Sequence, residues 1–232
     1  MGKASQVLLT AALVASLAAA CSQTRYTQYD ETAEQTSPFD RQVEFELTRH
    51  FYDDPPRCIA VMPFLVDGKR HPKAEVIEAA LARHLSGKVE RVMGPRARDR
   101  AARSLAVDLT TETGRSAFAR SARCGFQLEA EPWGGESMYA VFWTQSRIGL
   151  QVRMTRVEDQ TLIWRARHVA KRSEGGLPLS PLSAVYHLFT ATEFRADGDV
   201  DLSLADDAAR RICKTFPDTR SFGLAGAISG RP

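Results

Sequence analysis

Cys58-Ile59-Ala60-Val61-Met62-Pro63-Phe64 is a short apolar run suited to a strand buried on both faces, and the fold is read outward from it. A helix follows from about Pro72 to Ser86. Pro72 suits its first turn, Ile77, Leu81 and Leu85 form one apolar stripe, and Gly87 stands where a helix stops. Val89 to Met93 reads as a second strand. Pro95 opens a further helix in which Ala97, Ala101 and Leu105 are expected to face inward and Arg96, Arg100 and Arg103 outward. A short helix from Thr113 to Ala122 leads to a third strand at Phe126 to Ala130.

Beyond the Pro132-Trp133-Gly134-Gly135 break the period changes from helical to alternating. Ile148, Leu150, Val152 and Met154 alternate with Gly149, Gln151 and Arg153, and a turn at Glu158-Asp159-Gln160 leads into Leu162 to Val169, an antiparallel partner. Upstream, Asp40 to Asp53 admits two periods. Phe39, Val43, Leu47 and Phe51 fit a helix, whereas Val43, Phe45 and Leu47 fit a strand. A helix ending before Pro55-Pro56 is the expectation, because proline disfavours αR in the residue before it. Two more helices are expected, Pro181 to Glu193 and Ser203 to Lys214, the latter opened by a capping-box-like Ser203 and Asp206. No internal repeat is visible. The order predicts an α/β (α+β) fold, with helices packed on a mixed sheet of about five strands. A single domain is expected over residues 39–218, and a frayed Gly- and Ala-rich tail over 219–232.

The first residues carry an address. Lys3 precedes an apolar run from Val7 to Ala20 broken only by Thr10 and Ser16, and small residues close it: the three parts of a secretory signal over residues 1–20. The run is too short for a membrane-spanning helix, which needs about 20 residues. Leu17-Ala18-Ala19-Ala20-Cys21 resembles the bacterial lipobox, with Ala18 where that pattern prefers leucine. The resemblance implies cleavage before Cys21 and acylation, including palmitate, of that cysteine. Ala18-Ala19-Ala20 also suits the peptidase that releases soluble exports. Ser22, rather than aspartate, after the cysteine implies sorting to the periplasmic face of the outer membrane. Residues 21–38 are polar and are expected to form a flexible tether.

Composition narrows the function. With 31 Lys and Arg against 28 Asp and Glu the net charge is +3, no signature of nucleic-acid binding. Neither the cysteines nor the histidines fall in a metal-ligand spacing, so no metal and no cofactor is expected. G-x-S-x-G, H-E-x-x-H and a phosphate-binding glycine loop are all missing from the sequence, and Ser86-Gly87-Lys88-Val89 lacks the flanking residues of the last. His50, His71, His84, His168 and His187 are scattered over different elements, and His84, at the edge of an apolar stripe, reads as a satisfied boundary residue.

Three pieces together resemble the TolB amino-terminal and curli-secretion-lipoprotein type of domain. Ile59-Ala60-Val61-Met62-Pro63-Phe64 looks like its first strand, and Cys124-Gly125-Phe126-Gln127-Leu128 sits at its small-residue turn into the third. Val157-Glu158-Asp159-Gln160-Thr161-Leu162-Ile163-Trp164 is similar to its hairpin, without the usual glycine. The likeness spans residues 57–172. It implies a non-enzymatic lipoprotein that docks on an unidentified envelope protein in assembly, secretion or cell-wall synthesis. The alternatives are a module binding a small ligand or lipid, and a periplasmic hydrolase. Tyr139 to Trp143 is too short for a membrane-spanning strand, which takes about 9–11 residues.

In that topology the first and third strands are parallel neighbours, which makes Cys58 and Cys124 the favoured disulfide pair, with Cys213 a competing partner for either. Arg123 beside Cys124 would lower the pKa of a free thiol there, but a structural role is the simpler reading. Two surfaces are candidates for binding. Arg96, Arg100 and Arg103, with Arg91 and Arg98, suit anionic headgroups or an acidic partner, against the plainer reading of a solvated helix face. Trp133, Met138 and Tyr139 flank a glycine hinge and suit a partner surface, against the plainer reading of a Trp closing the sheet.

Overall fold

The computed structural model describes residues 24–32, 42–71, 74–133, 138–140, 143–174, 198–220 and 222. Strands β1 (Arg25–Gln28), β2 (Gln42–Leu47) and β3 (Cys58–Val61) come first, with a one-turn helix α1 (His50–Asp53) before β3. The hairpin β4 (Leu65–Val66) and β5 (Lys69–Arg70) follows, then α2 (Ala74–Ser86), β6 (Arg91–Met93), α3 (Pro95–Leu105) and α4 (Glu112–Ala122). The remainder is β7 (Phe126–Pro132), β8 (Met138–Ala140), β9 (Trp143–Arg156), β10 (Leu162–Glu174) and α5 (Gly198–Lys214). The class is the expected α/β, but the main sheet has eight strands rather than about five, in the order β1-β2-β10-β9-β7-β3-β6 with β8 on β9.

Strand β3 is apolar throughout because each of its faces meets helices. Ile59 and Val61 join the larger core with α2 and α5, while Cys58, Ala60 and Met62 meet Ala102 of α3 and Phe118 of α4. The two parallel crossovers, β3 to β6 and β6 back to β7, run in opposite directions, and right-handedness puts their helices on opposite faces. Past β7 the described helices cover only one face. Leu150, Val152 and Met154 of β9 point into the α2/α5 core, and the other face of the antiparallel half is charged, Glu46 pairing across to Arg165 and Glu44 to Arg167.

Four expectations are corrected upstream and downstream of this frame. Residues 42–47 form a strand, not a helix, because Val43, Phe45 and Leu47 pair with β10 and pack on the core; only His50–Asp53 is helical. The expected tether contains β1, which pairs in parallel with β2, since Tyr26 and Gln28 find backbone partners at a sheet edge that composition does not reveal. At the other end Thr219 is buried, its hydroxyl bonded to the carbonyls of Pro56 (2.9 Å) and Lys88 (3.2 Å), so the domain continues past 218. Ser203 lies inside α5 and opens no helix. The helix expected from Pro181 to Glu193 falls outside the described residues.

Helix α3 is turned relative to expectation. Its buried residues are Pro95, Arg98 and Ala102, spaced by three and four, while Ala97 and Leu105 are exposed. Arg98 goes inside because Pro63 ends β3 and leaves backbone groups without sheet partners. Its Nη1 donates to the Val61 carbonyl (2.7 Å) and its Nη2 pairs with Glu78 (2.9 Å), whose other oxygen accepts from the Phe64 amide (2.8 Å). One glycine is compelled by close approach: a Cβ on Gly114 would lie 1.8 Å from the Asp108 carbonyl oxygen.

Cys213 is buried on α5, and burial pushes its thiol up to about 12 against the opposing charge of Lys88. The unfolded chain releases that proton near 9 and the native chain keeps it, so this site is neutral for stability below pH 9 and destabilising as pH rises toward 12. Cys213→Ala is therefore expected to flatten the alkaline decline of the urea midpoint. Parallel declines in both chains would refute the assignment.

Candidate functional site

Among the sequence candidates, Cys21 lies outside the described residues. Met138 and Tyr139 pair with Gln145 and Thr144 in β8–β9. Trp133 follows the last residue of β7 and is built into a stack. The Arg167 guanidinium carbon lies 4.0 Å from the Trp133 ring centre and 4.5 Å from that of Tyr29, with Arg165 4.1 Å from the same tyrosine. Tyr29 donates to Gln151 (2.9 Å), and Arg165 pairs with Glu31 (2.7 Å) and Glu46 (2.6 Å). This cluster holds the chain after β1 on the open sheet face, a packing role for Trp133.

Arg96, Arg100 and Arg103 are exposed on α3 and have no ion pair among the described residues. Arg98, grouped with them by sequence, is buried and paired, and so leaves the candidate surface. Arg91 is exposed but engaged, its Nη2 donating to the Ala122 carbonyl (2.6 Å) and also to that of Arg123.

A groove of about 620 Å³ lies between the C-terminal end of α4 and the β9–β10 turn. Arg120 and Arg123, three residues apart, form one wall, Arg156 and Glu158 the other, and Cys124-Gly125-Phe126 line it between them. The chain reaches that position because Arg123 takes a left-handed conformation (φ 49°) that ends α4 and turns into β7. Cys124 is bonded to Cys58 with the Cα atoms 4.9 Å apart, at neighbouring starts of parallel strands, so no thiol is free there. Arg156 lies 3.5 Å from Asp54 and from Asp159, and its Nε is buried without a hydrogen-bond partner among the described residues. Arg120 and Arg123 have no ion pair among the described residues. A Cβ on Gly125 would meet nothing within 4 Å, so the groove is open there.

The groove's chemistry is anion binding by guanidinium groups. Among the described residues no cluster of three His, Cys, Asp or Glu could hold a metal. The described histidines are dispersed, His84 with Asp206 (2.9 Å) and His168 with the Gln42 carbonyl (2.7 Å) among them. Sequence reading looked for arginines on α3 and missed this groove. Its only signal was the pair Arg120 and Arg123 running into Cys124-Gly125, whose meaning depends on Arg156, brought in from a distant turn.

No family model matches the sequence, and no curated protein does. Among solved structures the chain is similar to lipoprotein GNA1162 from Neisseria meningitidis, with a TM-score of 0.43 and 12% identity over 61% of this chain and 99% of that one. It is similar to a point variant of the PelC dodecamer from Paraburkholderia phytofirmans, with a TM-score of 0.39 and 14% identity over 73% and 94%. It is also similar to the LpoB C-terminal domain from Escherichia coli, with a TM-score of 0.34 and 16% identity over 49% and 82%.

Proposed function

We propose that this chain is a non-enzymatic lipoprotein of the cell envelope, held through acylated Cys21 at the periplasmic face of the outer membrane. Its domain, of the TolB amino-terminal and curli-secretion-lipoprotein type, docks on a protein of an envelope complex. The observation that carries the reading is the placement of the two ends of the domain. Arg25, at the start of β1, follows Cys21 by only four residues, a leash of at most about 14 Å. From there the arginine groove lies four strand spacings across the sheet, β1 to β7, and about seven residues along it, from the Gly149 level to Arg156. At roughly 4.8 Å per strand and 3.4 Å per residue, that is about 30 Å, toward the opposite strand ends and two strands short of the far edge β6. A domain leashed at one corner offers its unpaired cations away from the membrane, as a docking protein requires. No described helix is long and apolar enough to cross a membrane.

Replacing Cys21 by alanine is expected to release the protein from membranes while leaving its far-ultraviolet spectrum and urea midpoint unchanged, because the acyl anchor adds nothing to the core. Fractionation of cells expressing each form tests this. A Cys21→Ala protein that still sediments with the outer membrane would overturn the reading.

A further inference from the structure

We infer that the groove between α4 and the β9–β10 turn receives an extended acidic segment of a partner protein, its carboxylates held by Arg120, Arg123 and Arg156. This rests on the docking function proposed above and names the partner's chemistry. Many arginines of the domain are spoken for, Arg165, Arg167, Arg210, Arg211 and Arg220 each sitting within 3 Å of a carboxylate, and Arg96, Arg100 and Arg103, unpaired among the described residues, line no part of this groove. Arg120 and Arg123 have no carboxylate partner among the described residues, although guanidinium pairs readily with carboxylates in a bidentate fork. Among the described residues neither guanidinium donates to the last carbonyls of α4, although Arg120 stands in its last turn, where cations are favourable. Those carbonyls are met by Arg91, which donates to Ala122 and Arg123 and so leaves both groove guanidiniums available. Arg120, in the last turn of α4, and Arg123, just past its end, are both exposed and line the same groove, so one ligand can meet both.

Size and wall chemistry select the ligand. A space of about 620 Å³ far exceeds a single phosphate or carboxylate and suits a segment several residues long. Gly125 leaves the floor open for a peptide backbone to approach. Asp54 and Glu158 stand in the walls. Carboxylates there accept amide N–H groups of a peptide, so an occupant sets its own carboxylates against the arginine wall and its backbone amides toward Asp54 and Glu158. The distance of about 30 Å from the leash removes the groove from headgroups of the anchoring membrane.

The test uses the full chain carrying Cys21→Ala, so that it is independent of acylation, with fluorescein-labelled hexaglutamate as the probe and fluorescence anisotropy as the readout. Saturable binding is expected. Arg120→Ala with Arg123→Ala should weaken it at least about tenfold, the effect of roughly 1.4 kcal/mol. Gly125→Leu should do the same by filling the groove, with an unchanged far-ultraviolet spectrum. Arg96→Ala, Arg100→Ala and Arg103→Ala together should change it less than about threefold, since rim charges outside a site act mainly on association rate. Absence of saturable binding, or equal losses from the α3 and α4 substitutions, would overturn the inference. So would native affinity in the Gly125→Leu chain. Binding to phosphatidylglycerol vesicles that is lost with Arg120 and Arg123 would replace it by a lipid surface. Fractionation of the Cys21 variant reports on anchoring alone, so the two readings can fail separately.

Discussion

Arg98→Ala is expected to lower the stability of the domain by about 3–5 kcal/mol, the usual consequence of removing one partner from a buried ion pair. Both side chains of the Arg98–Glu78 pair are fully shielded from solvent. Removing the guanidinium strands the Glu78 carboxylate, with half-exposed Arg70 at 3.3 Å as its remaining cation, and frees the Val61 carbonyl inside the fold. Adding Glu78→Gln should recover about 1–3 kcal/mol, because the amide keeps an acceptor for the Phe64 amide and carries no charge. Urea denaturation of the three proteins measures both numbers. A single substitution that costs under about 1 kcal/mol, or a double one less stable than the single, would show that the pair is not a coupled buried unit.

Opening the Cys58–Cys124 bond comes next in size. The two cysteines are separated by 66 residues, and constraining a loop of that length in the unfolded chain is worth about 4 kcal/mol in the chain-entropy model. Since a domain's whole stability is roughly 5–15 kcal/mol, reductant should move the urea midpoint strongly downward. The chain carrying Cys58→Ala and Cys124→Ala should start low and ignore reductant. Alkylation of denatured, unreduced protein should label Cys213 and spare the other two. Identical midpoints with and without reductant in the native chain would remove the bond from the account. Because Cys124 and Gly125 line the groove, reduction is also expected to weaken hexaglutamate binding.

Much of the fold is written in local patterns. The β3 run, the α2 stripe, the alternation of β9 and the turn before β10 each report burial on one face or two, and burial is what periodicity encodes. The Cys58–Cys124 pairing needed one further step, the parallel neighbouring of the first and third strands, which the likeness of three motifs supplied. Where two periods coexisted, at residues 42–53, local signal failed. The strand prevails there because β10 supplies backbone partners on one side, Val43 is buried, and Phe45 and Leu47 pack against the α2/α5 core.

What the chain determines by itself is therefore the class: a mixed α/β body whose strands and helices follow from hydrophobic spacing. Tertiary structure alone decided which arginines are inside and which are free. Arg98 and Arg96 are neighbours on one helix and look alike in sequence. Glu78, about twenty residues earlier, draws the first into the core, because a charge can be buried only where an opposite one meets it. The groove is the same case at larger separation: Arg120 and Arg123 meet Arg156 only when the sheet brings the β9–β10 turn to the end of α4. Charge pairing depends on proximity in space, and sequence spacing carries that information only within a few turns of one helix.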